Sequence, residues 1–260
     1  MWKCQLYFRI MGLKIKELED YAWFPAILRK YQMEMIGQTV SYFGFYHTIA
    51  NRIKADLTTY GVKSITDLCS GSGQPGIYVH RKLQMPEVET LLTDKYPQQI
   101  KSHIGVVYSP NSLDINDLNP DAATFYTMYN AFHHLNDNEQ KTLIQKVLTT
   151  KSQLMIVEIV QPGLLNIFMV TLASTLGVWF LCPMIRPLEW KRLIFTYILP
   201  LNVLTVLIDG YISVFKSKSI KDYTLTLETL FPAQTGITIS EHRAFPAKII
   251  TIKINGNHGE

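Results

Sequence analysis

Charged side chains are scarce in this sequence. They make up 18% of the 260 residues, whereas about a quarter is usual for a globular domain. The shortage is uneven, because residues 161–215 hold only five charged side chains in 55 positions and the other 205 positions hold 41. Most of the chain is therefore too polar for a polytopic membrane protein, and its apolar content excludes a disordered chain.

Cysteines are also few, and basic residues do not cluster. The three cysteines, Cys4, Cys69 and Cys182, are odd in number and far apart, which excludes a disulfide scaffold and predicts reduced thiols in a cytoplasmic protein with no metal site. The formal net charge is +4, and lysine and arginine form no run of five, so we expect no nucleic-acid partner. Residues 1–10 lack a typical signal-peptide pattern, and we expect them to be an extension of little structural importance.

Short apolar segments alternate with helical patterns after residue 61. Five of these segments are predicted strands, at 62–68, 88–93, 104–108, 123–129 and 154–159, and helices are predicted at 77–83 and 138–149. This alternation predicts an α/β fold with a mostly parallel sheet. The two remaining predicted strands, at 237–242 and 248–254, are joined by a short link and indicate an antiparallel hairpin.

The chain is predicted to consist of four segments. Residues 1–60 are an extension followed by helices that form a cap, and residues 61–160 are the α/β core. Residues 161–218 are an apolar helical insertion, and residues 219–260 add a helix and the two hairpin strands to the core sheet. In the first segment, Pro25 suits the first turn of one helix, and a second helix is predicted over 46–60, ending at Gly61.

A glycine-rich loop follows the first predicted strand, in the sequence Asp67-Leu-Cys-Ser-Gly71-Ser72-Gly73. Glycines let a backbone approach a ligand closely, and the start of the next helix offers free amides. A tight strand-to-helix turn with no ligand is the alternative. The spacing of Gly71, Gly73 and Gly76 also matches a dinucleotide fingerprint, but an acid inside the strand and Pro75 inside the turn argue against a dehydrogenase.

Two further acids follow the next two strands at similar intervals. Asp94 lies 21 residues after Gly73, where a carboxylate can accept both hydroxyls of a ribose. Asp114 lies 20 residues later, at the expected position of an adenine amino group. Each acid alone also fits a solvated loop position, but the regular series of loop, acid and acid favours a nucleoside-containing cofactor.

The successive motifs resemble those of the class I S-adenosylmethionine (SAM)-dependent methyltransferases. They are Asp67-Leu-Cys-Ser-Gly-Ser-Gly, Leu-Thr-Asp94-Lys-Tyr-Pro, Asn-Ser-Leu-Asp114 and Tyr-Asn130-Ala-Phe-His133-His134-Leu. The resemblance implies SAM as cofactor and a Rossmann-like sheet of seven strands, the last antiparallel, with N-terminal helices and the apolar insertion before the last two strands. The N-terminal helices and the stretch from Arg186 to Arg192 resemble an uncharacterised bacterial branch of the family.

The resemblance also implies roles for particular residues. Those at the cofactor would be Asp67 and the loop Gly71, Ser72 and Gly73 for the methionine part, Asp94 for the ribose, Leu113 and Asp114 for the adenine, and Asn130 for the methionine part or the substrate. Cys69 departs from the family pattern, which has a glycine there. The implied activity is methyl transfer to a small molecule, and the alternative is a catalytically silent, membrane-associated binding module with the same fold.

Three residues are candidates for proton transfer. His133 and His134 follow the fourth strand, and Glu158 lies at the end of the fifth, on the edge of the sheet where ligands bind in open α/β folds. Either histidine would help a hydroxyl acceptor as a general base, although a structural role is the alternative for all three. Three aromatic residues near the N-terminus either line the site or pack in the core, namely Tyr21, Trp23 and Phe24.

The apolar block contains two long uncharged runs. Residues 159–185 hold 27 residues without a formal charge, and residues 193–208 hold 16 more. Three alternatives are open for these segments: a cap over the site, an element on a membrane surface, or a hairpin that spans the bilayer. All three favour an apolar or lipid-like acceptor. The protein is accordingly expected in the cytoplasm, with or without membrane association. Asp209, alone between the runs, needs a partner, an aqueous face or a turn to cap at Gly210.

Overall fold

The computed structural model describes residues 16–100, 103–150, 152–232, 236–244 and 247–256. The expectation for residues 1–10 lies outside these residues. The chain divides into two compact units. We call one the sheet unit, formed by Val40–Ile159 and Ile220–Glu260, and the other the helical unit, formed by Met1–Thr39 and Val160–Ser219.

The sheet unit contains a seven-stranded sheet in the order β3-β2-β1-β4-β5-β7-β6. Its strands are β1 (Ser64–Leu68), β2 (Glu89–Leu92), β3 (Val106–Tyr108), β4 (Thr124–Tyr129), β5 (Gln153–Glu158), β6 (Ile237–Ala244) and β7 (Ala247–Asn255). The first five strands are parallel, and β7 is antiparallel to both of its neighbours. Every residue of β4 and β5 is buried, as expected for central parallel strands. The predicted Rossmann-like sheet with an antiparallel terminal pair is confirmed.

Eight helices accompany the strands in the described part of the chain. They are α1 (Ala26–Tyr42), α2 (His47–Tyr60), α3 (Gln74–Leu83), α4 (Asp137–Thr149), α5 (Leu164–Met184), α6 (Trp190–Ile198), α7 (Leu201–Lys216) and α8 (Ile220–Leu230). Short 3₁₀ turns are present at Leu18–Asp20, Ile115–Asp117 and Phe132–His134. The start of α4 has a complete capping box made by Asn136 and Glu139, which satisfies amides that a helix start leaves open.

The N-terminal helices belong to different units. Helix α2 lies in the sheet unit, where Ile49, Ile53 and Leu57 are buried in one core cluster with Ile65 and Phe125. The sequence predicts residues 1–60 as one segment. The division into units falls after Thr39, inside α1, so the last three residues of α1 and all of α2 belong to the sheet unit.

The helical unit consists mainly of α5, α6 and α7. Helix α5 includes a π-helical turn at Ala173–Gly177, and α6 and α7 meet at a bend of 73°. By length and composition α5 could cross a membrane, and α6 with α7 pass the same test as a bent pair. Core helices of water-soluble proteins pass this test too, but only 17% of the apolar window of α5 is buried.

Candidate active site

The loop after β1 has a left-handed backbone conformation at every second residue over three positions. Cys69, Gly71 and Gly73 have φ angles of 54°, 53° and 75°. A Cβ atom on Gly73 would lie 2.7 Å from the end of the Leu92 side chain, and this contact together with the positive φ angle favours glycine there. A side chain at Cys69 is tolerated, at a backbone cost of about 1 kcal/mol.

Helix α3 begins at Gln74, three residues before its predicted start, and Pro75 lies in its first turn. The first turn of a helix has no intrahelical acceptor for its amides, so a proline there costs no hydrogen bond. Pro75 is therefore part of the helix and does not disturb the glycine loop.

Asp67 is the buried carboxylate at the end of β1, with 1% of its surface exposed. Its Oδ1 accepts a hydrogen bond from the Thr127 hydroxyl at 2.8 Å. Its Oδ2 is buried and has no hydrogen-bond partner among the described residues. A Cβ atom on Gly76 would lie 3.0 Å from this oxygen, so the first turn of α3 passes close by. Burial raises the pKa of Asp67 to about 7, with a further rise from the charge of Asp94.

Asp94 fastens the glycine loop to the end of β2. Its Oδ2 accepts a hydrogen bond from the Gly71 amide at 2.8 Å, and its Oδ1 accepts one from the Tyr96 amide at 2.8 Å. Asp94 is 7% exposed and shapes the glycine loop at the end of β2. The ribose contact predicted for Asp94 stays a prediction.

Three further side chains, for which the sequence predicts no role, complete the loop. The Tyr108 hydroxyl donates to the carbonyl of Gly71 at 2.7 Å. The Thr93 hydroxyl donates to the carbonyl of Asp67 at 2.8 Å, and the Ser70 hydroxyl donates to the same carbonyl at 2.9 Å. The loop is therefore held by β1, β2 and β3 together, in the conformation that a bound ligand would meet.

Asp114 has local partners after β3. Its Oδ1 accepts from the Asn116 amide at 3.0 Å, which caps a short 3₁₀ turn, and its Oδ2 lies 2.8 Å from Nζ of Lys95. The Lys95 ammonium is the main cause of a lowered pKa for this carboxyl group. Leu113 is half-buried against the core, and its amide donates to the carbonyl of Asp94 at 3.0 Å. The adenine contacts predicted for Leu113 and Asp114 stay predictions.

Asn130 connects the end of β4 to two other segments. It has a φ angle of 51°, and its side chain accepts from the Ile159 amide at 2.7 Å and donates to the Tyr46 hydroxyl at 2.6 Å. Tyr46 is fully buried, and burial, followed by the charges of Asp67 and Glu158, raises its pKa well above the ordinary value. Both ends of the Asn130 amide thus make a hydrogen bond within the protein, which fixes the side chain at the end of β4.

Glu158 and His133 form a buried pair at the ends of β4 and β5. Glu158 Oε1 accepts from the Phe132 amide at 2.9 Å, and its Oε2 is hydrogen-bonded to Nδ1 of His133. Glu158 is fully buried and His133 is 5% exposed. The His134 ring lies beside the His133 ring, with 4.6 Å between centroids. The structure therefore brings all three residues predicted for proton transfer to one edge of the sheet.

The remaining sequence candidates lie in the helical unit. Trp23 is 68% exposed and stacks on Tyr21 with 5.5 Å between ring centroids, whereas Phe24 is buried. Asp209 is buried and accepts from the Leu18 amide at 2.6 Å, from the Glu19 amide at 3.2 Å, and from the Gln32 side chain at 2.6 Å. The sequence left open a partner, an aqueous face or a turn at Gly210 for Asp209. The structure shows the first, because Asp209 has buried hydrogen-bond partners.

Comparison with solved structures identifies the fold. The chain is similar to the plantazolicin methyltransferase BpumL in complex with SAH, with 11% identity and a TM-score of 0.58 over 97% of this chain and 99% of that chain. The complex of BpumL with a monoazolic desmethylPZN analog and SAH matches at 11% identity and a TM-score of 0.50, over 89% of this chain and 98% of that chain. No protein-family model matches, and no curated protein does. The chain has the fold of the class I SAM-dependent methyltransferases.

Proposed function

We propose that this protein is a SAM-dependent methyltransferase. The observation that carries the proposal is the carboxylate of Asp67, which has one buried oxygen without a hydrogen-bond partner among the described residues. This oxygen lies next to Gly76 at the start of α3, directly after the glycine loop. An unsatisfied buried acceptor is costly unless a ligand completes it, and SAM carries an ammonium group that would do so.

The residues around Asp67 fit the rest of the cofactor. The backbone of Gly71, Ser72 and Gly73 would hold the methionine part, and Asp94, at the end of β2 beside this loop, would accept the ribose hydroxyls. Leu113 and Asp114 would border the adenine, although an adenine amino group would then share Asp114 with Lys95. Asn130, held in place by Ile159 and Tyr46, would face the methionine part or the substrate.

Methyl transfer to oxygen is the reaction that the buried pair at β4 and β5 supports best. SAM held by Asp67, the glycine loop and Asp94 would supply an electrophilic methyl group to the acceptor oxygen, with SAH as the leaving group. Glu158 holds the proton on Nδ1 of His133, so that Nε2 can take the proton that the acceptor hydroxyl loses. His134 is the second candidate for this role, because it adjoins His133.

The acceptor that we propose is a small apolar molecule with a hydroxyl group. The support for an apolar acceptor is the composition of residues 161–215, which hold five charged side chains. We propose a cytoplasmic enzyme that works at a membrane surface. The catalytically silent binding module is the less favoured alternative, because the buried hydrogen bond between Glu158 and His133 lies at the sheet edge where ligands bind in open α/β folds.

Calorimetry with SAM and with SAH tests the cofactor assignment, and failure of both to bind would overturn the proposed function. Transfer of a labelled methyl group to a lipid and metabolite extract tests the reaction. We expect His133→Gln and Glu158→Gln to bind cofactor normally but to lose about 10²–10⁴-fold in rate, the usual contribution of general base catalysis. His47→Gln, at an exposed histidine of the same unit, is the matched control. Unchanged rates in both site variants would refute the assigned base.

A further inference from the structure

The helical unit has an inverted distribution of polarity. Nine residues of α5 are exposed and all nine are apolar, among them Phe168, Trp179 and Phe180. The four exposed residues of α7 are also all apolar, whereas four of its six buried residues are polar, namely Asn202, Thr205, Asp209 and Ser213. Helices in water show the opposite pattern, with polar residues outside. Hydrocarbon outside a helical bundle favours the pattern seen here.

The polar groups inside the helical unit have specific partners. Arg192 is fully buried, donates to Glu34 at 2.6 Å, and donates to the carbonyls of Ile185 and Pro187 at 2.7 and 2.6 Å. Asp209 is satisfied by two backbone amides and by a glutamine side chain, as described above. Paired charges in the interior and apolar side chains outside are typical of protein that is immersed in lipid.

The opposite side of the same helices is covered by a charged segment. Glu17 accepts a hydrogen bond from Ser213 of α7 at 3.0 Å, and Glu34 of α1 pairs with Arg192 of α6. Lys30 of α1 pairs with Glu189, just before α6. Residues 17–34 therefore follow α6 and α7 along much of their length. A hairpin across the bilayer would draw these charges into hydrocarbon, so one face, and not the whole unit, suits a membrane.

A basic and aromatic rim borders the apolar face. Between α5 and α6, Arg186 and Leu188 are exposed, and Lys191 at the start of α6 lies over the exposed ring of Trp190, with 5.6 Å from Nζ to the ring centroid. The only acid in this stretch, Glu189, is already neutralised by Lys30. Tryptophan and basic residues together are characteristic of the zone where lipid headgroups meet hydrocarbon.

We infer that the exposed apolar face of α5, α6 and α7 docks in the plane of a membrane that contains anionic phospholipids. The apolar side chains of α5 and α7 enter the hydrocarbon of one leaflet, and Arg186 and Lys191 bind headgroup phosphates. Helix α5 has 21 residues, so it offers an apolar strip about 31 Å long at 1.5 Å per residue. This inference rests on the membrane-surface location given in the proposed function, but it is measured without cofactor or acceptor, so its failure would leave the proposed methyl transfer intact.

Cosedimentation of the purified full chain with vesicles tests the inference. We expect binding to phosphatidylcholine vesicles that contain phosphatidylglycerol, and weaker binding to phosphatidylcholine alone. Phe168→Gln and Phe180→Gln should each reduce the partition coefficient about tenfold. Arg186→Gln and Lys191→Gln should each reduce binding to the anionic vesicles about fivefold, and leave binding to neutral vesicles nearly unchanged.

Matched controls separate the contribution of this apolar face to vesicle binding from that of exposed apolar residues elsewhere on the protein. Ile104 and Leu225 of the sheet unit are 98% and 67% exposed, and Ile104→Gln and Leu225→Gln should bind vesicles like the wild type. Thermal unfolding of every variant checks that the fold is intact. Three outcomes would overturn the inference. They are no vesicle binding by the wild type, equal vesicle binding by the wild type and the phenylalanine variants, and a self-associated form in which a second copy covers the face. Resistance of vesicle-bound protein to an alkaline carbonate wash would indicate a spanning hairpin and overturn it as well.

Discussion

The buried carboxyl group of Asp67 should make the stability of the free protein depend on pH. In the folded protein its pKa is about 7, mainly because of burial, against an ordinary value of 3.8. The folded state therefore keeps this proton over a range in which the unfolded state has lost it. Stability from this group is fully present below about pH 4 and is lost as the pH rises through about 7. At about 1.36 kcal/mol per pH unit, the loss is on the order of 4 kcal/mol.

Asp67→Asn is the variant that isolates this effect. Asparagine keeps the size of the side chain and the acceptor for Thr127, but it does not ionise. Urea unfolding of both proteins at pH steps from 4 to 8 gives two curves of unfolding free energy, and their difference removes the contribution of other acids. We expect the wild type to lose stability relative to Asp67→Asn as the pH rises. Asp117→Asn, at an exposed carboxylate of the same unit, should follow the wild type.

A ligand cation beside Asp67 should reverse part of this loss. Binding of SAM would favour the ionised carboxylate and lower its pKa, so binding near pH 6.5 should release protons. Calorimetry in two buffers of different ionisation enthalpy measures that release. A constant difference between wild type and Asp67→Asn over the whole pH range, or proton uptake on binding, would refute the reasoning.

Three other predictions follow from single contacts. Asp94→Ala should weaken SAM binding by about 1–3 kcal/mol, the cost of losing hydrogen bonds to a charged group, and unchanged affinity in calorimetry would show that the ribose lies elsewhere. Thr127→Val removes the donor to Asp67 and should destabilise the protein by about 1–3 kcal/mol in urea unfolding at pH 8, where a result equal to wild type counts against the contact. Asp209→Ala leaves two amides and Gln32 without their acceptor and should destabilise by a similar 1–3 kcal/mol or so, whereas Asp117→Ala, at an exposed carboxylate of the sheet unit, should have little effect.

The sheet and the glycine loop were predictable because their signals are local. Five apolar strand patterns, the glycine spacing after the first strand and an acid after each of the next two strands lie in continuous stretches of sequence. The start of α3 was misjudged for a local reason as well. Pro75 resembles a loop residue, but it occupies the first turn of the helix, where a missing amide costs nothing.

The supporting residues of the site could not be predicted because their partners are distant in sequence. Thr127 is 60 residues from Asp67, and Tyr46 is 84 residues from Asn130. A lone threonine in a strand or a lone tyrosine in a helix start gives no pattern that names its partner. The partners of Asp209 are more distant still, since Leu18 is 191 residues away. Only the fold determines which of these groups meet.

Composition alone left open whether the apolar block forms a cap, lies on a membrane surface or spans the bilayer. The exposed fractions of the side chains in α5, α6 and α7 are what favour in-plane docking. Hydropathy depends on which residues are present, whereas the inference of in-plane docking depends on which side of each helix they occupy. The sequence of α7 alternates apolar and polar residues without showing which set faces inward, and the structure shows Asn202 and Asp209 inside. The bacterial branch that the sequence resembles stays a prediction.

The pairing of β5 with β7 has a consequence for synthesis on the ribosome. Gln153 pairs with Asn255, about 100 residues later, and the whole helical insertion is translated in between. At about 5–20 residues per second, this edge of the nascent sheet stays unpaired for about 5–20 s. β5 is buried along its entire length in the finished protein. During that interval its unpaired backbone groups and apolar side chains can therefore pair with other chains. A polypeptide that terminates before β7 should therefore aggregate or require a chaperone, even though the motif-bearing strands are already complete.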